Sequence, residues 1–192
     1  MNRMKVRELM RPVHEFQSIP SSATFMEALE TLDKADLAFR SGNAPERIVL
    51  VVGDRGQVVG KLSPMDVVRA LEPNFDFIDN LRFQTRLVQA SLDAMKEQFR
   101  AVHKPLINLR QKAERIQIRD FITMPRADQM TLPEETLDKA FNLFIAYRHG
   151  SLFVQDGEQI VGLIRFSDLY HKIREAIQVS PAPFIGAVAT QP

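Results

Sequence analysis

Val58-Val59-Gly60-Lys61-Leu62-Ser63-Pro64-Met65-Asp66 is an apolar run broken by a glycine and closed by Ser-Pro and an acid three positions on. The same order returns 102 positions later as Ile160-Val161-Gly162-Leu163-Ile164-Arg165-Phe166-Ser167-Asp168. A short apolar run followed by serine and proline predicts a buried strand that passes directly into a helix, because serine is favoured at an N-cap and proline at the first helical position.

Working outward, the repeat extends to both sides. Val6-Arg7-Glu8-Leu9-Met10 resembles Ile118-Arg119-Asp120-Phe121-Ile122 at an offset of 112. Ile19-Pro20 pairs with Leu132-Pro133, and Ala28-Leu29-Glu30-Thr31-Leu32 with Ala140-Phe141-Asn142-Leu143-Phe144. The fall in offset from 112 to 102 requires an insertion in the first copy, and the turn-rich segment Arg40 to Glu46 is the expected place. Each copy reads as an extended stretch ending at proline (Phe16 to Pro20; Gln129 to Pro133), then a helix beginning near Thr24 or Thr136. A strand follows (Ile48 to Val52; Ser151 to Val154), then a glycine-containing turn, a second strand (Gln57 to Leu62; Gln159 to Ile164) and a closing helix.

These paired motifs, with the opening Leu9-Met10-Arg11-Pro12, resemble the cystathionine-β-synthase (CBS) domain family, in which strand, glycine, hydroxyl residue and aspartate recur in each of two tandem repeats. The resemblance covers residues 6–72 and 116–177. It implies an α/β fold, in the mixed α+β sense, with two CBS-type repeats packed as a pseudo-twofold pair. The expected organisation is a first repeat over 1–72, a helical insert over 73–115, a second repeat over 116–177 and a C-terminal tail over 178–192.

The resemblance also implies a stand-alone regulatory module that binds an adenosyl ligand (AMP, ADP, ATP or S-adenosylmethionine) in clefts between the repeats and requires no other cofactor. A carboxylate in a helix's first turn can accept bonds from both ribose hydroxyls, while a hydroxyl and backbone N–H groups at the helix start can meet phosphate. On this basis Asp66 and Asp168 are expected ribose contacts and Ser63 a phosphate contact. The same residues also make ordinary helix caps with no ligand at all, and the sequence leaves both roles open. His14 and His149 occupy positions that line the cleft in similar proteins; Arg148-His149 could contact phosphate, with a solvated loop pair the preferred reading for both. Arg165 stands where the family has serine or threonine. Its two available partners are a ligand phosphate and the carboxylate of Asp168. The phosphate is the preferred expectation, since Arg148 and His149 are basic and near in the pattern. The alternative function is a ligand-free structural or dimerisation module with degenerate clefts.

Composition narrows the remaining classes. The chain of 192 residues is 45% hydrophobic and 26% charged with a formal net charge of +1, the balance of a globular protein with no whole-molecule field for nucleic acid or membrane. Absent cysteine removes disulfides, thiolate metal sites and cysteine nucleophiles. The four histidines have no metal-ligand spacing, so no metal site is expected. No Ser-His-Asp set, carboxylate pair or phosphate-cradling glycine loop stands out, so the chain is expected not to be an enzyme. No apolar run is long enough to cross a bilayer and none follows Met1-Asn2-Arg3-Met4-Lys5 as a signal would, which makes the cytoplasm the expected location. Within the insert, Leu81, Val88, Leu92, Met95, Phe99 and Val102 follow an a/d heptad spacing. That stripe favours a homodimer, whose regulated partner protein the sequence does not name. If the stripe pairs subunits, replacing Met95 and Phe99 by Lys should lower the particle mass without loss of secondary structure.

Overall fold

The computed structural model describes residues 4–44, 46–71 and 108–179. The heptad stripe from Leu81 to Val102 and the tail from Pro181 lie outside the described residues.

In the first repeat, β2 (Ser18–Pro20) leads to α1 (Phe25–Arg40), then β3 (Val49–Val52), β4 (Val58–Leu62) and α2 (Pro64–Ala70). The second runs through β5 (Met130–Thr131), α4 (Leu137–Tyr147), β6 (Ser151–Asp156), β7 (Gln159–Arg165) and α5 (Phe166–Val179). β1 (Arg11–Pro12) precedes β2, and a short helix α3 (Leu109–Ala113) lies between the repeats. The chain is thus a mixed α/β protein whose described residues form two sheets, ordered β2-β3-β4 and β1-β7-β6-β5. In each, a parallel pair (β2 with β3, β5 with β6) is joined to an antiparallel hairpin (β3 with β4, β6 with β7).

Local chemistry accounts for these elements. Thr24 caps α1 by exchanging bonds with Glu27: Glu27 N–H donates to Thr24 Oγ1 at 3.3 Å and Thr24 N–H to Glu27 Oε2 at 2.7 Å. Both hairpins turn through a glycine at positive φ, Gly56 at 79° and Gly157 at 59°. The insertion expected from the offsets is divided. α1 has 16 residues against 11 in α4. Eight residues separate α1 from β3, whereas three separate α4 from β6. Half of the ten extra residues therefore lengthen the helix, because Asp33 to Arg40 remains a good helix former, and only half fall in the loop.

The chain forms two compact units, one of which joins the start of the chain to the second repeat. Among the described residues one comprises 4–11 with 126–179, the other 12–71 with 108–125. The leading segment of each repeat packs on the other repeat, through equivalent bonds. Val6 N–H donates to Glu135 O at 2.9 Å, Arg7 N–H to Pro133 O at 3.1 Å, and Leu137 N–H to Met4 O at 3.0 Å. In the second unit Ile118 N–H donates to Ala23 O, Arg119 N–H to Ser21 O, and Phe25 N–H to Ile116 O, at 3.0, 3.0 and 3.1 Å. Val6 and Ile118 are fully buried, Val6 among Leu137, Ala140, Phe144 and Leu169, Ile118 among Phe25, Ala28, Val49 and Leu62.

This exchange explains the signature glycine. A β-carbon on Gly60 would lie 2.6 Å from Ile122 Cγ2, so the segment crossing β4 leaves no room for a side chain there.

Candidate functional site

The two signature motifs form equivalent corners, each where the last strand of a hairpin enters a helix. At the start of α2, Ser63 N–H donates to Asp66 Oδ2 at 2.8 Å and Ser63 Oγ donates to the same oxygen at 2.5 Å. Backbone closes the turn, Asp66 N–H donating to Ser63 O at 3.1 Å. Ser63 and Asp66 are therefore together, and the carboxylate is held by the cap. A carboxylate has about four acceptor directions and Ser63 uses two, so cap and ligand roles are compatible.

At the start of α5 the hydroxyl is replaced. Arg165 donates to Asp168 through both Nε, at 2.6 Å from Oδ2, and Nη2, which bonds Oδ1. The two residues are each 9% exposed, so this fork is a buried ion pair. Arg11 Nε lies 3.9 Å from Asp168 Oδ2, so the carboxylate faces a second guanidinium. Of the two partners open to Arg165, the structure pairs it with Asp168.

The other expected residues are placed as follows. His14 is exposed on the turn Val13–Glu15 that leads into β2, in the unit containing Ser63 and Asp66. Arg148 ends α4 in the left-handed conformation, with φ 55°, and is exposed. His149 stacks on the Tyr147 ring at 5.8 Å. Its Nε2 is buried without a hydrogen bond, 3.4 Å from Asp128 Oδ2. Phe166 N–H donates to Gly150 O at 2.9 Å, and Ser151 is in register with Arg165, which brings residues 148–150 beside the Arg165 corner.

The sequence reading passed over three features. Arg126 holds Asp128 through Nε and Nη2 at 3.1 and 3.2 Å, and these bonds keep the Asp128 carboxyl below its ordinary range. Arg11, read only as part of the opening motif, borders the Asp168 carboxylate. Lys61 interrupts an otherwise apolar strand opposite Leu50, where the second repeat has fully buried Leu163 opposite Phe153. Burial pulls the Lys61 ammonium down to about 8, against the attraction of Asp66 and Glu46.

That shift has a sign. The folded value lies below that of an unfolded lysine, so between about pH 8 and 10.5 the unfolded chain holds the extra proton. Charged Lys61 therefore costs stability below pH 8, and the cost disappears as pH rises through that window. Lys61→Leu, which installs the second repeat's residue, should stabilise the protein at pH 7 by about 1–2 kcal/mol. The gain should shrink from pH 8 to pH 10.5 in thermal melts; a pH-independent difference would contradict the burial of the charge.

Compared with known sequences, residues 6–73 and 118–175 match the CBS domain. The chain belongs to the CBS-domain family. Solved structures agree on the fold. A conserved hypothetical protein from Geobacillus kaustophilus is similar with a TM-score of 0.59 at 12% identity, over 90% of this chain and 98% of that one. The CBS-pair protein CBSX2 from Arabidopsis thaliana is similar at 0.56 and 15%, over 92% and 98%. The cytosolic domain of the Mg2+ channel MgtE in complex with ATP is similar at 0.52 and 16%, over 88% of this chain and 48% of that one. CBSX2 is also known in complex with AMP, where the TM-score is 0.54 at 17% identity over 92% and 99%. No curated protein matches the sequence. No helix among the described residues is long and apolar enough to cross a membrane, and these residues hold no cluster of metal-ligating side chains.

Proposed function

We propose that this CBS pair is a regulatory module, without catalytic activity of its own, that binds an adenine nucleotide or related adenosyl ligand. The observation that carries the reading is the Ser63–Asp66 corner: a carboxylate oriented by its own helix cap, with acceptor capacity left for a ribose diol. The AMP complex of CBSX2 and the ATP complex of MgtE, which share the fold, support the same ligand class. His14, in the same unit, is proposed to border the ligand. In the second repeat Arg148 and His149 adjoin the equivalent corner. The ligand is taken to act on a homodimer and, through it, on a regulated partner protein, in the cytoplasm.

A thermal-shift screen with AMP, ADP, ATP and S-adenosylmethionine tests this. A ligand that binds the folded state alone adds about 2.7 kcal/mol at a hundred times its dissociation constant, which corresponds to roughly 5–10 °C for a chain of this size. No shift with any of the four at millimolar concentration would leave the alternative, a ligand-free dimerisation module.

For the second repeat one observation already favours that alternative, namely the closed Arg165–Asp168 pair.

A further inference from the structure

The equivalent corners differ in the side chain that bonds the aspartate, Ser63 in the first and Arg165 in the second. At the first corner the carboxylate of Asp66 is bonded by a neutral hydroxyl and a backbone N–H. At the second, both oxygens of Asp168 are taken by one guanidinium, side-on, with both partners buried. We propose that Arg165 is a permanent internal occupant of the second repeat's carboxylate, so that the chain binds a single nucleotide, at the Asp66 corner. This rests on the nucleotide reading above and adds its stoichiometry and the residue that sets it.

The physical case is one of competition. A ribose diol offers two neutral donors to a carboxylate, whereas Arg165 offers two charged ones already aligned in the plane of the group. For a ligand to win Asp168, the guanidinium would be left buried without its counter-charge, a state far more costly than a lost neutral hydrogen bond. Nor is Arg165 well set to capture phosphate. To turn toward an anion it would abandon Asp168, leaving a buried carboxylate beside the incoming negative charge. Arg11, 3.9 Å from Asp168, adds a second positive group beside the carboxylate. The clamp also has a structural use: it ties the end of β7 to the first turn of α5, where the first repeat uses the Ser63–Asp66 cap.

Calorimetric titration of the whole chain with AMP, and separately with ATP, decides the matter. The wild type should bind one equivalent per chain, and Asp66→Ala should weaken that binding about ten- to a hundred-and-fiftyfold. Arg165→Ser, which restores the hydroxyl, should bind two. Two equivalents in the wild type, or a single equivalent still in Arg165→Ser, would overturn the occupant role and leave the nucleotide reading intact. No binding in the wild type but one equivalent in Arg165→Ser would support the occupant role and overturn the reading of Asp66. No binding by either protein overturns both. Should Arg165→Ser fail to fold, as its circular dichroism would reveal, the wild type still decides. A single equivalent in the wild type that is weakened in Asp66→Ala, with none left at the original affinity, supports the proposal, and a remaining equivalent of unchanged affinity overturns it.

Discussion

Ile118→Ala should destabilise the protein by about 2–5 kcal/mol, and the damage should appear in the first repeat, although Ile118 belongs by sequence to the second. Its side chain is fully buried among Phe25, Ala28, Val49 and Leu62. Truncation removes three carbons from that cluster and leaves a cavity that its neighbours fill only in part. The flanking bonds, Ile118 N–H to Ala23 O and Arg119 N–H to Ser21 O, fix the segment and limit its collapse into the space. Hydrogen exchange should therefore quicken in β2, β3 and β4, with β5, β6 and β7 less affected. Val6→Ala should do the reverse, loosening the second repeat, since Val6 lies among Leu137, Ala140 and Phe144. Faster exchange confined to the repeat that contains the substitution in sequence would contradict the exchange of leading segments.

Asp168→Asn should cost about 3–5 kcal/mol, because it keeps the volume of the side chain but leaves the Arg165 guanidinium buried without its counter-ion. An exposed pair would be worth little. Here the two side chains are 11% and 10% exposed, so water does not compensate the loss. Replacing both residues, Arg165→Met with Asp168→Asn, should recover much of the stability, because the desolvated charge goes with its partner. Equilibrium unfolding of the two single variants and the double variant gives the coupling directly. Additive losses would show that Arg165 and Asp168 do not act as a pair.

How much of this was legible depended on how local the information is. The hairpin and closing helix of each repeat could be read because Gly56, Gly157 and the Ser63–Pro64 cap act within a few residues of themselves. The exchange of leading segments could not. Val6 and Ile118 sit in strings of the same residue types, and nothing in either string says which repeat it will cover. That choice is made by packing between residues more than fifty positions apart. The signature Gly60 was legible as a residue but not as a cause, since Ile122, which excludes its side chain, is 62 positions away. At the site, Asp168 was named as a partner for Arg165 from their three-residue spacing. The preference for phosphate rested on charge alone and took no account of how completely the fork uses both carboxylate oxygens. Lys61 was missed although a signal was present, a lysine inside an apolar strand where the other copy has Leu163.

The central claim is that Asp66 holds an adenosyl ligand in the first repeat. Its most direct test is the affinity of AMP and ATP for the wild type and for Asp66→Ala, measured by isothermal titration. Loss of charge-assisted bonds to the ribose costs about 1.5–3 kcal/mol, so the affinity should fall by about ten- to a hundred-and-fiftyfold. An unchanged dissociation constant in Asp66→Ala, or no heat of binding from the wild type with either nucleotide, would contradict it.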